Sequence, residues 1–180
     1  MRVARLLSNL ECIHSNTEHA GGLAVITVGN SLRGDQGLAA AISQSLPKDL
    51  RKRCCRFDLG SYSGFLQECL IRHKAAIIID STNNGTATGT VSMLDVSYIL
   101  TQDEPLNIKS CQGLMLSEEV RSAKKRGRLP KQIIFFGIEI DKADWNEKIS
   151  DDVQRKLPRL VSQLSFLISK VAETLSDNAA

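Results

Sequence analysis

Residues 75–80 read AAIIID, five apolar residues ending on a carboxylate. A continuous apolar run of this length suits a buried strand of a parallel sheet, where both faces are covered and no polar alternation is needed. The neighbouring segments repeat the theme. Leu23 to Val28 (LAVITV) is apolar, partly β-branched and ends at Gly29-Asn30, a strand entering a loop. Gly37 to Leu46 then carries Leu38, Ala39, Ile42 and Leu46 at helical spacing and stops before Pro47. Further strands are predicted over Arg53–Asp58, Thr90–Val96 and Gln132–Ile140 (QIIFFGIEI), and helices over Tyr62–Lys74 and Ser117–Arg126. Val153, Leu157, Leu160, Val161, Leu164, Ile168, Val171 and Leu175 recur at helical spacing, giving a long amphipathic C-terminal helix that Pro158 either bends or delays. The alternation of strands and helices predicts an α/β chain, a three-layer α/β/α sandwich around a mostly parallel five-stranded sheet.

A chain of 180 residues supports one domain, placed at 23–180 behind an N-terminal extension of residues 1–22 that is expected to be disordered. A net charge of +3 is too small for the dense basic face of a nucleic-acid or membrane binder. The densest basic run, Lys124, Lys125, Arg126 and Arg128, falls at a predicted helix end, where cations favour the macrodipole. No segment reaches the roughly 20 apolar residues of a membrane span, and Arg5, Ser8 and Asn9 break up the leader. The five cysteines are odd in number and contain no CxxC pair, which argues against a disulfide framework or a zinc knuckle and for reduced thiols in a cytoplasmic protein.

Ligands of such sheets gather beyond the carboxyl ends of the strands. The polar residues predicted there are Asn30, Asp35 and Gln36 after the first strand, Asp80 after the third, and Cys111 with Gln112 after the fourth. Turn chemistry alone would also account for Asn30 and Asp35. Asp80 carries more weight, since a carboxylate following five apolar residues must be solvated, hydrogen-bonded or cation-bound; the plainer alternative is that it caps the Ser81-Thr82-Asn83 turn. GNSLRGDQG (29–37) is neither GxGxxG nor a P-loop, so a dinucleotide site is disfavoured. His14, His19 and His73 lie away from this rim, leaving no histidine for a serine or cysteine nucleophile.

GNSLRGDQG resembles the opening motif of the hydrogenase maturation proteases, a strand followed by GNxLxxDDG or GNxLxxDEG. RFDLGSYSG (56–64) resembles their second-strand segment, IIIDSTNNGTATGTV (77–91) their aspartate and GxxPGT turn, and SCQGLMLSEEV (110–120) their SxHxxxLxEAL segment. GRLPKQIIFFGIEI (127–140) resembles their FGIE strand, and Trp145 through Pro158 the approach to the last helix. The likeness runs over residues 23 to 175 and implies an endopeptidase that removes the C-terminal extension of a nickel-loaded hydrogenase large-subunit precursor. It implies a three-residue metal site, which falls on Gln36, Asp80 and Gln112, with Cys111 as the alternative to Gln112 if the register slips by one. Those three residues are also the catalytic candidates, and Asn30, Arg33 and Asp35 the substrate-binding ones.

Amide oxygens are poor nickel ligands beside a carboxylate or imidazole and carry no transferable proton. Two readings follow: a divergent endopeptidase, or a non-cutting assembly factor that grips the large subunit or a related precursor. In both, nickel arrives with the substrate, no tightly bound cofactor is expected, and the protein is expected to act as a cytoplasmic monomer.

Overall fold

The computed structural model describes residues 22–61, 63–99, 110, 116–127, 129–141, 145 and 148–177. The expected disorder of residues 1–22 therefore falls, except for Gly22, outside the described residues, as do Cys111 and Gln112. Five strands form one sheet: β1 (Leu23–Thr27), β2 (Cys55–Asp58), β3 (Ala75–Thr82), β4 (Val91–Asp95) and β5 (Gln132–Glu139), in the order β2-β1-β3-β5-β4. All neighbours are parallel except β4 and β5, which run antiparallel. The helices are α1 (Leu38–Gln44), α2 (Lys48–Arg51), α3 (Leu66–Ile71), α4 (Val96–Ile99), α5 (Leu116–Arg126) and α6 (Asp151–Asp177).

The central strands alternate between two apolar cores, which is why their sequences are apolar throughout. Leu23, Val25, Ile77, Ile79, Phe136 and Ile138 pack with residues of α1, α2 and α6 on one face. Ala24, Ile26, Ala76, Ile78, Ile133 and Phe135 pack with residues of α3, α4 and α5 on the other. This is the three-layer sandwich expected from the sequence.

Two local expectations change. β3 does not end at Asp80: Ser81 and Thr82 continue the ladder with Ile138 and Glu139 of β5, so the carboxylate sits inside a central strand, in register with Gly137. The ladder with an equally long β5 satisfies the backbone of two polar residues that looked like turn. Pro158 does not delay α6, which starts at Asp151 and runs through it to Asp177. Its ring leaves the carbonyl of Gln154 without a helical donor, but both residues are exposed, so water can serve instead.

Lys124, Lys125 and Arg126 fall in the last turn of α5, where cations favour the macrodipole. Arg126, in the last turn of α5, reaches Glu68 of α3 at 2.5 Å and Gln67 at 3.2 Å, joining two helices. Among the described residues no helix is long and apolar enough to cross a membrane.

Candidate active site at the carboxyl edge of the sheet

The loop after β1 is built by close approach. Gly29 has φ +156°, and a Cβ there would lie 2.1 Å from the backbone oxygen of Gln36, so any side chain would push the loop's two ends apart. Asn30 makes a local turn, its Oδ1 accepting the Leu32 N–H at 3.0 Å and its carbonyl the Arg33 N–H at 3.0 Å. Gly34–Gly37 form a 3-10 turn that leads into α1 and packs on β3, and Gln36 within it is 1 % exposed. The Val28 N–H bonds the Ile79 carbonyl at 2.9 Å, so β1 exits beside the residue preceding Asp80. The structure thus brings the segment of Asn30, Arg33, Asp35 and Gln36 and the strand of Asp80 to one edge.

Asp80 is 0 % exposed. Its Oδ1 accepts the Ser81 N–H at 2.7 Å, and its Oδ2 accepts the hydroxyl of Ser110, whose backbone bridges Thr82. Burial pushes its pKa up to about 7, against the opposing pull of the Ser110 and Ser81 hydrogen bonds. A carboxyl poised near neutrality can hold or release a proton at physiological pH, the property a general acid or base needs.

Asp35 is also buried, but it does something else. Its Oδ1 accepts the Ser150 N–H at 2.7 Å and its Oδ2 the Ser150 hydroxyl at 2.9 Å, across 115 residues. Ser150 Oγ in turn accepts the Val153 N–H at 3.4 Å, capping α6. Asp35 therefore fastens the first loop to the start of the last helix. Ser150→Ala is expected to cost about 1–2 kcal/mol through the lost cap and carboxylate partner. Urea unfolding checks this; an unchanged midpoint would mean the link is not stabilising.

Arg33 lies with its guanidinium carbon 5.2 Å from the ring centre of Trp145, which is 77 % exposed. His73 stands apart, buried, with Nδ1 2.7 Å from the Cys69 carbonyl, its ring edge-on to Phe57 and its pKa lowered chiefly by burial. Among the described residues no group of three or more His, Cys, Asp or Glu could hold a metal ion. Among the described residues of this edge, Asp80 offers one carboxylate whose two oxygens already accept hydrogen bonds and Gln36 only an amide, and these two donors alone do not fit a resident divalent metal.

One residue of this edge escaped the sequence reading. Glu139, 3 % exposed, closes β5 with Oε1 accepting the N–H groups of Asn84, Gly85 and Thr86 at 2.7, 2.7 and 3.1 Å. Its Oε2 accepts the Thr82 hydroxyl at 2.9 Å. The carboxylate inside QIIFFGIEI was the available signal, by the same reasoning that singled out Asp80.

A doubly covered sheet with polar loops and a buried carboxyl gathered at its carboxyl edge is where an α/β fold of this kind places a ligand site. A family model described as hydrogenase maturation protease matches residues 41–165, and the chain belongs to that family. Among solved structures, the hydrogenase maturating endopeptidase HybD from E. coli is similar at 19% identity and a TM-score of 0.65, covering 82% of this chain and 92% of that one. The [NiFe] hydrogenase maturation protease HycI from Thermococcus kodakarensis KOD1 is similar at 16% identity and 0.58, covering 91% and 99%. A hydrogenase 2 maturation peptidase from a Thaumarchaeota archaeon gives 20% and 0.55, covering 79% and 94%. At these identities the likeness establishes the fold. No curated protein matches the sequence.

Proposed function

We propose that the protein is an endopeptidase that removes the C-terminal extension of a nickel-loaded large-subunit precursor of a nickel-iron hydrogenase. The observation that carries this is Asp80, buried and near-neutral at the carboxyl edge, in a chain of the hydrogenase maturation protease family. Asp80, whose Oδ2 accepts the Ser110 hydroxyl, is the group we assign to take up and release a proton during peptide hydrolysis. Asn30 and Arg33 contact the incoming segment, and Asp35 takes part by holding their loop against α6. Nickel enters with the substrate, and Gln36, Asp80 and Gln112, or Cys111 in place of Gln112, stand where the family's metal-site residues fall. The protein needs no tightly bound cofactor of its own and acts as a cytoplasmic monomer.

Two glutamines at those positions support a second reading, a non-cutting assembly factor that binds the large subunit or a related precursor. Incubation with nickel-loaded and nickel-free precursors separates the two: the protease reading expects loss of the C-terminal peptide from the loaded form alone. Stable binding without shortening would establish the assembly factor instead. Free nickel is expected to bind the wild-type chain only weakly in titration calorimetry. A tight, stoichiometric site abolished in Asp80→Ala would overturn that expectation and direct attention to Cys111.

A further inference from the structure

The turn that follows β3 is shaped from inside by Glu139. Three consecutive N–H groups, of Asn84, Gly85 and Thr86, converge on one carboxylate oxygen while Thr82 occupies the other. Hydrogen bonds to an ionised acceptor are stronger than neutral ones, so this is a firm anchor. The backbone around Glu139 reinforces it, with the Gly89 N–H on the Glu139 carbonyl at 2.7 Å and the Glu139 N–H on the Thr90 carbonyl at 2.9 Å. Lys156 of α6 adds a bond to the Thr88 carbonyl at 3.0 Å.

No described peptide bond is cis, and in a trans peptide the C=O points opposite to the N–H of the same plane. With the N–H groups of residues 84–86 drawn inward, the carbonyls of Asn83, Asn84 and Gly85 face away from Glu139. These residues are exposed, and the turn begins three residues after Asp80. Their carbonyls form a cluster of acceptors beyond the carboxyl end of β3, the strand that carries Asp80.

We propose that Glu139 is a positioning residue for substrate: it folds residues 83–86 so that their outward carbonyls accept backbone N–H groups of the precursor's extended C-terminal segment beside Asp80. This rests on the protease reading. A glutamine at this position keeps one acceptor oxygen and the side-chain volume but loses the charge, and its amide nitrogen cannot accept from Thr82.

The test compares wild type, Glu139→Gln and Gly85→Ala for kcat and KM on a purified nickel-loaded large-subunit precursor, with amide NMR signals of residues 84–86 as an independent readout. Gly85 has φ +80° and open space around a built Cβ, so alanine there strains the turn without touching β5. Glu139→Gln is expected to move the three amide signals and raise KM at least fivefold with kcat within twofold; Gly85→Ala is expected to raise KM likewise. If the amide signals move while KM stays at the wild-type value, or if kcat falls with KM intact, the inference is wrong. Should Glu139→Gln fail to fold, Gly85→Ala decides on the same criteria. A wild-type chain that binds and cleaves no precursor would sink the protease reading and this inference with it, an outcome distinct from a variant matching an active wild type.

Discussion

Asp80→Asn is expected to reduce precursor cleavage by roughly a hundredfold or more and, in the metal-free protein, to raise stability at pH 8. The two effects share one cause. Asp80 is fully buried, and burial lifts its pKa from the usual carboxylate value to about 7. In the unfolded chain the same carboxyl ionises near pH 4. Below that pH both states hold the proton, and Asp80 does not make stability depend on pH. Between about pH 4 and 7 the unfolded chain has released a proton that the folded protein retains, so each step up in pH favours unfolding. Above about pH 7 the cost is complete, on the order of a few kcal/mol. Asparagine is isosteric and neutral; its oxygen can still accept from Ser81, and its amide can donate to the Ser110 hydroxyl. The variant should therefore gain stability progressively from pH 4 to 8 in urea titrations while losing the proton that catalysis needs. A variant less stable than wild type at pH 8, or an advantage that does not vary with pH, would show that Asp80 is not a strained acid. Undiminished cleavage would remove it from the mechanism.

Asp80 was legible in the sequence because an apolar run ending in a carboxylate poses an energetic problem that must be solved in the fold. The strands were legible for a related reason: runs such as LAVIT and AAIII have few places to go except a sheet covered on both sides. The antiparallel direction of β4 left no such mark, since strand direction does not alter side-chain periodicity. The extent of β3 was hidden because Ser81 and Thr82 look like turn residues until β5 supplies their ladder. The role of Glu139 is not legible in sequence because its partners are backbone N–H groups more than fifty residues away. The Asp35–Ser150 link was equally invisible, for it joins a loop and a helix cap that only the closed fold makes neighbours. Side-chain types announce that a polar group needs a partner; the partner itself is fixed by tertiary structure.

Burial also changes what is expected of restoring the family's metal-site residues. Gln36→Glu together with Gln112→His should make the metal-free protein less stable than wild type and should make recovery depend on nickel. Gln36 is 1 % exposed in a turn packed on β3, so a glutamate there puts a second carboxyl into the region that already raises the pKa of Asp80. Leaving it without a new partner costs about 2–3 kcal/mol, a fall in Tm of roughly 5–10 °C for a domain of this size. Nickel supplies the missing partner, with the imidazole as a borderline ligand that two carboxylates alone would lack. At about a hundred times its dissociation constant, it would return about 2.7 kcal/mol and so most of the loss. Gln36→Glu alone should show the loss with little rescue, which separates metal binding from non-specific stabilisation. Under the protease reading, the double variant should also cleave nickel-loaded precursor faster than wild type. Thermal unfolding with and without nickel, followed by cleavage assays on wild type, Gln36→Glu, Gln112→His and the double variant, tests each step. Equal melting of the double variant with and without nickel would mean that these positions do not form a metal site. Wild-type cleavage as fast as the double variant's would mean that the glutamines are compatible with catalysis and do not impair the site.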